Sequence, residues 1–261
     1  MISTIHPIFA FTDNYIWAVS EAESRQVCVI DPGDAQPVIE YLESNELQLS
    51  DILITHHHPD HTGGIQELTS RYSCRVAGPS SSGIKGINEF VSTGDNVNLF
   101  GQNFSVIEVP GHTLDHIAYH CEDEDQGDPI LFCGDTLFAA GCGRLFEGTP
   151  KMMHESLGKL STLAANTRVY CTHEYTLANL QFAIVADAEN PALLKRFESE
   201  KTKRAAKLPT LPSSIELELA TNPFLRCKET EIQKSTEIQS GRVANNEVEV
   251  FAALRAWKDS F

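Results

Sequence analysis

The stretch THHHPDHTGG, residues 55–64, sets four histidines and an aspartate into the six positions 56–61. A loop that merely turned would use Gly, Asn, Pro and Ser, whose backbones and short side chains suit turns. Imidazoles bring nitrogen lone pairs and a titration near neutral pH instead. Taken alone, the cluster reads as well as a His-rich surface turn. The rest of the chain decides against that. ILIT runs into His56, VIEVPG into His112, ILFCG into Asp135 and RVYCT into His173. A strand core fixes its terminal residue, and ligands from several strand ends can converge at one rim of a sheet. The candidate ligands are His56, His58, Asp60, His61, His112, Asp135 and His173. Imidazole and carboxylate without thiolate suit zinc, iron or manganese in a hydrolytic site, whereas closed structural zinc sites favour cysteine. The set is too large for one tetrahedral ion and fits two ions that share a bridging carboxylate. A group of packed core histidines is the weaker reading.

Outward from this stretch, short apolar and β-branched runs alternate with turn residues. Strands are expected at 15–19, 26–31, 51–55, 74–78, 96–100, 104–110, 116–120, 129–134 and 168–172. Helices are expected at 35–45, 63–72 and 150–164, where apolar residues fall at helical spacing. Many short strands among a few helices predict an α/β fold of layered sheets covered by helices. After residue 173 strand alternation ceases. TLANLQFAIVADAE and PALLKRFESEKTKRAAK read as amphipathic helices, LPTLP (208–212) as a break, and NEVEVFAALRAWKDSF as a closing helix. The expected division is a mixed domain over 1–173 and a helical domain over 174–261.

With 36 acidic against 20 basic residues, the 261-residue chain carries a formal charge of −16. That balance argues against nucleic acid or an anionic membrane as partner, since both need a basic footprint. An anionic substrate would then need locally placed cations. Seven scattered cysteines without a CxxC pair suggest reduced thiols in a cytoplasmic compartment. The N-terminal stretch has no basic n-region, and no apolar run approaches the roughly 18 residues of a membrane span. These features predict a soluble, cytoplasmic protein.

THHHPDH matches the THxHxDH signature of the metallo-β-lactamase superfamily, with PGHT, GDTLF and THEYT at the later ligand positions. Within it the chain resembles glyoxalase II, the hydroxyacylglutathione hydrolases. GCGRLFEGT (141–149), THEYT (172–176), TNPFLR (221–226) and LRAWKDSF (254–261) carry that resemblance over essentially the whole chain. The first signature defines only the superfamily; the later motifs carry the specificity.

The resemblance implies an αββα sandwich with a smaller C-terminal helical domain. It implies two divalent ions, zinc first, with iron or manganese as alternatives. His56, His58 and His112 would hold one, and Asp60, His61 and His173 the other. Asp135 would bridge them, and His57 would not be a ligand. The implied reaction is attack of a metal-bridging hydroxide on a glutathione thioester, S-D-lactoylglutathione giving D-lactate and glutathione in methylglyoxal detoxification. Asp60 and Asp135 would be the catalytic carboxylates. Arg144, Tyr175, Arg255 and Lys258 would bind the tripeptide, chiefly its glycine carboxylate. A guanidinium and an ammonium three residues apart on a helix can converge on one carboxylate. Phe146 stands where other members carry tyrosine, so that hydroxyl is missing. The protein is expected to be a monomer.

The remaining motifs receive plainer readings. Asp31 and Asp34 in VIDPGD are expected to shape a turn and cap a helix. KTKRAAK (201–207) is expected to be a solvated face, and His6, His116, His120 and His154 structural or surface residues. Cys142 is expected near the substrate, oxidisable but not catalytic. Other activities within the superfamily are a persulfide dioxygenase, a lactonase, a β-lactamase and a nuclease. The first lacks the full second metal site, and the acidic balance disfavours the last. A non-catalytic binding protein is disfavoured because none of the seven ligands is missing.

Overall fold

Apolar runs rich in Val and Ile become strands where both faces are covered, and near-continuous runs mark the parallel ones. The computed structural model describes residues 2–21, 24–81, 83–122 and 127–261. One sheet has the strand order Ile2–Ala10, Asn14–Glu21, Gln26–Ile30, Gln48–Leu53, Arg75–Pro79 and Glu89–Val91. Its first three strands are antiparallel and the rest are added in parallel. Asn96–Leu99, Gln102–Glu108, Ile117–Cys121 and Ile130–Gly134 form consecutive antiparallel pairs of a second sheet. Tyr119 ties the two together. Its buried hydroxyl donates to the Ile54 carbonyl at 2.9 Å.

The helix Ala35–Ser44 covers the first sheet. Val38, Ile39 and Leu42 are buried with Ile8, Ile16, Val29 and Ile52. Asp34 caps it by accepting from the Gln36 N–H, as the sequence predicts. The helix expected over 63–72 is Ile65–Arg71, and beyond the Gly63–Gly64 pair a short helix that was not expected, Pro59–Thr62, precedes it. The strand Ile2–Ala10 was not expected, because His6 and Pro7 interrupt its apolar run. It lies at the sheet edge, where proline is tolerated.

Packing separates two compact units, Met1–Glu108 with Asp115–Gly134, and Val109–Leu114 with Asp135–Phe261. Composition changes at 173, but packing draws its line earlier, because the hairpin Leu137–Phe138/Gly141–Cys142 is bonded into the helices that follow it. The second unit contains the helices Pro150–Ser161, Thr176–Ala186, Pro191–Ala205, Ile215–Thr221, Thr230–Ser240 and Glu247–Ser260. Thr149 caps the first of these by accepting from Met152 N–H. Ile215–Thr221 and Thr230–Ser240 carry too little apolar periodicity to have been expected. The LPTLP break ends in the short strand Ser213–Ser214, paired with Arg168–Cys171.

Candidate active site

In the first unit the Gln48–Leu53 strand delivers the histidine cluster. His56 and His61 are fully buried, with His58 and Asp60 partly so. Asp31, at the end of the neighbouring strand, organises them. Its buried carboxylate accepts from Thr55 N–H at 2.8 Å, from Thr55 Oγ1 at 2.7 Å and from His61 Nδ1 at 3.0 Å. The Thr55 hydroxyl has one proton and gives it to Asp31. At 3.0 Å from His56 Nδ1 it is therefore an acceptor. Both Nδ1 atoms are donors, which leaves each Nε2 with its lone pair. That is how histidines are oriented toward a metal.

Asp60 is held from the other side. Asn14 Nδ2 donates to Asp60 Oδ2 at 3.1 Å, and that oxygen is 3.5 Å from His61 Nε2. The loop around Asp31 packs directly on the metal-binding loop. A Cβ at Gly33 would meet the Asp60 carbonyl oxygen at 1.8 Å, so only glycine fits there. His57 turns to the buried Asp115, with Nδ1 at 2.9 Å from its carboxylate. His116 stacks on His56 at 4.5 Å between centroids, so it is structural but belongs to the site's wall.

The second unit gathers His112, Asp135 and His173. Asp135 Oδ2 is 3.5 Å from His112 Nε2 and 3.3 Å from His173 Nε2. Ligands at 2.0–2.1 Å around a tetrahedral zinc are separated by about 3.3–3.4 Å. One carboxylate oxygen thus stands at coordination spacing from two imidazoles. His112 Nδ1 donates to the Arg144 carbonyl at 2.8 Å, which again leaves Nε2 for a metal. Gly143 permits this approach. A Cβ there would be 2.0 Å from the Asp135 carbonyl oxygen and 3.0 Å from His112 Nδ1. The donor set in both units fits divalent zinc, iron or manganese.

The residues expected to bind the tripeptide lie in the second unit. Tyr175 stacks parallel to His173 at 4.8 Å, and Phe146 stands edge-on to His112 at 5.2 Å. Arg255 is buried. It pairs with Asp259 at 2.9 Å, donates from Nη1 to the Cys142 carbonyl at 3.0 Å and lies over the Phe224 ring. Lys258, half-buried, donates to the Ala178 carbonyl at 3.2 Å and lies over Phe182 and Phe261. Burial holds its ammonium below the usual lysine range, and the neighbouring Arg255 and Arg144 cations lower it further. Cys142 does not suit oxidation. Burial pushes its thiol up to about 11, so the reactive thiolate is scarce at neutral pH.

Asp31, Asn14 and Thr55 bond the candidate ligands and are not among the site residues expected from the sequence. Asp31 received only a turn-shaping role, yet VCVI runs into it as the other strand cores run into their ligands. Asn14 carried no comparable signal.

Residues 15–173 match the metallo-beta-lactamase superfamily, and residues 174–261 match the hydroxyacylglutathione hydrolase C-terminus. The hydroxyacylglutathione hydrolase of Pseudomonas aeruginosa is 53% identical, with 97% of each chain covered. The chain belongs to the hydroxyacylglutathione hydrolase family. The family's protein from Photobacterium profundum is 50% identical to it over 99% of each chain. A solved structure of ETHE1 from Myxococcus xanthus superposes with a TM-score of 0.66 at 23% identity, covering 99% of each chain. That likeness shows the fold, the metallo-β-lactamase α/β architecture with a C-terminal helical region. Like its hydroxyacylglutathione hydrolase relatives, the chain is a metallo-hydrolase.

Proposed function

We propose that the protein hydrolyses S-(2-hydroxyacyl)glutathione, with S-D-lactoylglutathione as its substrate and D-lactate and glutathione as products, in methylglyoxal detoxification. The observation that carries the substrate is the match of residues 174–261 to the hydroxyacylglutathione hydrolase C-terminus, and the Asp135 oxygen at coordination spacing from His112 and His173 supports the metal chemistry. On this reading His56, His58 and His112 would hold one divalent ion, Asp60, His61 and His173 would hold the other, and Asp135 would serve both. Zinc is the first expectation. Such ions lower the pKa of bound water toward neutrality and polarise a carbonyl.

The chain's own residues supply orientation. Asp31 fixes the His61 ring through Nδ1 and the His56 ring through the Thr55 hydroxyl, and Asn14 fixes Asp60. A thiolate leaves readily, so no strong general acid is needed. Arg144, Tyr175, Arg255 and Lys258 hold the tripeptide, and their cations offset locally the chain's negative charge. Residues 1–173 then form the catalytic domain and 174–261 the substrate-binding one. Among the described residues no helix is long and apolar enough to cross a membrane. We take the protein to act as a cytoplasmic monomer without a nucleic-acid partner.

The test is release of free thiol from S-D-lactoylglutathione by metal-replete protein. Turnover by the wild type, with Lys258→Ala keeping its metals but showing a raised KM, supports the reading. A fully metallated wild type without turnover refutes the substrate.

A further inference from the structure

The hairpin Leu137–Phe138/Gly141–Cys142 begins two residues after Asp135 and ends two before Arg144. Its turn is an unfavourable one. Ala140 has φ of 55°, a left-handed conformation that a residue with a Cβ adopts at a cost. Such a turn persists only when its surroundings over-determine it. Here they do so through side chains from the helical part of the same unit.

Asn222, fully buried, donates from Nδ2 to the Phe138 carbonyl at 3.1 Å and to the Gly141 carbonyl at 2.9 Å. Glu218 Oε2 accepts from the Ala140 N–H at 2.8 Å and lies 3.0 Å from Asn222 Nδ2, sharing one of that amide's two protons with a hairpin carbonyl. Asn179 Nδ2 donates to the Ala139 carbonyl at 3.1 Å. Glu218 is itself fixed by Arg196 Nη2 at 2.6 Å and by Ser213 Oγ. Arg196 also donates from Nη1 to Thr221 Oγ1 at 2.6 Å, while its buried Nε has no hydrogen-bond partner among the described residues.

The hairpin's side chain faces the site. The Phe138 ring stands edge-on to His173 at 5.8 Å and to Tyr175 at 5.5 Å. One aromatic ring therefore backs a metal ligand and a substrate-binding residue together.

We propose that Asn222 is a positioning residue for the hydrolysis: its amide fixes the Leu137–Cys142 hairpin and, through Phe138, the rings of His173 and Tyr175. Asn222 touches neither substrate nor ion. The proposal rests on the thioesterase reading, and it explains why an asparagine of the TNPFLR motif belongs to the reaction.

The experiment compares Asn222→Ala, Phe138→Leu and the control Leu42→Ala. The control opens a core cavity under the helix Ala35–Ser44 without touching the hairpin. Each protein is measured for Tm, for kcat and KM with S-D-lactoylglutathione, and, loaded with cobalt(II), for its visible ligand-field spectrum. Asn222→Ala and Phe138→Leu are expected to alter the cobalt spectrum and raise KM. A misplacement of about 1 Å can cost on the order of a hundredfold in kcat/KM. Leu42→Ala is expected to lower Tm while leaving spectrum and KM unchanged. If Asn222→Ala does not fold, Phe138→Leu decides. Wild-type spectrum and kinetics in Phe138→Leu, or in an Asn222→Ala protein destabilised as much as Leu42→Ala, overturn the proposal. A wild type that turns over no thioester refutes the activity instead, and the spectra still judge the positioning.

Discussion

Asp31 is the residue that holds the first group of proposed ligands in place. One carboxylate orients His61 directly and His56 through the Thr55 hydroxyl, and it is buried. Asp31→Asn keeps the shape but replaces one acceptor oxygen by a donor that opposes an N–H or O–H proton. Outer-shell changes of this kind cost roughly 10- to 100-fold in metal affinity. Asp31→Asn is therefore expected to bind zinc that much more weakly, as read by competition with a chelator. Unchanged affinity would mean that the ligands are held by the backbone alone.

Lys258 makes a prediction in pH. Burial and two neighbouring arginines lower its pKa, so it loses its charge at a lower pH than an ordinary lysine. Binding of the glycine carboxylate that relies on this ammonium then weakens as pH rises. KM should increase on the alkaline side, corrected for spontaneous thioester hydrolysis, and Lys258→Arg should remove the increase because a guanidinium stays charged. A KM flat with pH in the wild type would assign the carboxylate to other cations.

At the scale of elements, strands end where chemistry begins. Strand cores and their terminal ligands were legible in the sequence because both announce themselves locally: a β-branched run, then His or Asp. What supports the ligands was less legible. Asp31 follows that rule and could have been found by it, whereas Asn14 acts across 46 positions of chain and has no local mark. The same holds for Asn222, whose partners lie some 80 residues earlier. Two of the unexpected helices, Ile215–Thr221 and Thr230–Ser240, make tertiary hydrogen bonds, Glu218 with Ala140 and Ser235 with Ala186. Capped ends and apolar periodicity revealed the expected ones.

Packing at the element scale predicts a loss as well. Gly143 approaches both the Asp135 carbonyl and the His112 ring. Gly143→Ala should displace one of the two, so that the purified variant binds less metal than the wild type under the same dialysis conditions. Full metal content with wild-type Tm would show that the loop yields without consequence.

For the whole molecule, charge and chemistry oppose each other. A chain of −16 formal charge is proposed to bind an anionic thioester, which requires the cations to be concentrated where the substrate is held. Arg144, Arg255 and Lys258 are proposed to answer that need; after burial, the two arginines are the main neighbours that lower the Lys258 pKa. Ions bound to the native state alone should also stabilise it by mass action. Removing them with a chelator is expected to lower Tm, and restoring zinc should recover it.

The most direct measurement is a titration of metal-free protein with zinc, following S-D-lactoylglutathione hydrolysis and bound metal on the same samples. The account predicts no activity without metal, a maximum reached at two ions per chain, and loss of turnover in Asp135→Asn. Activity that is complete in metal-free protein, or absent when both ions are bound, would contradict it.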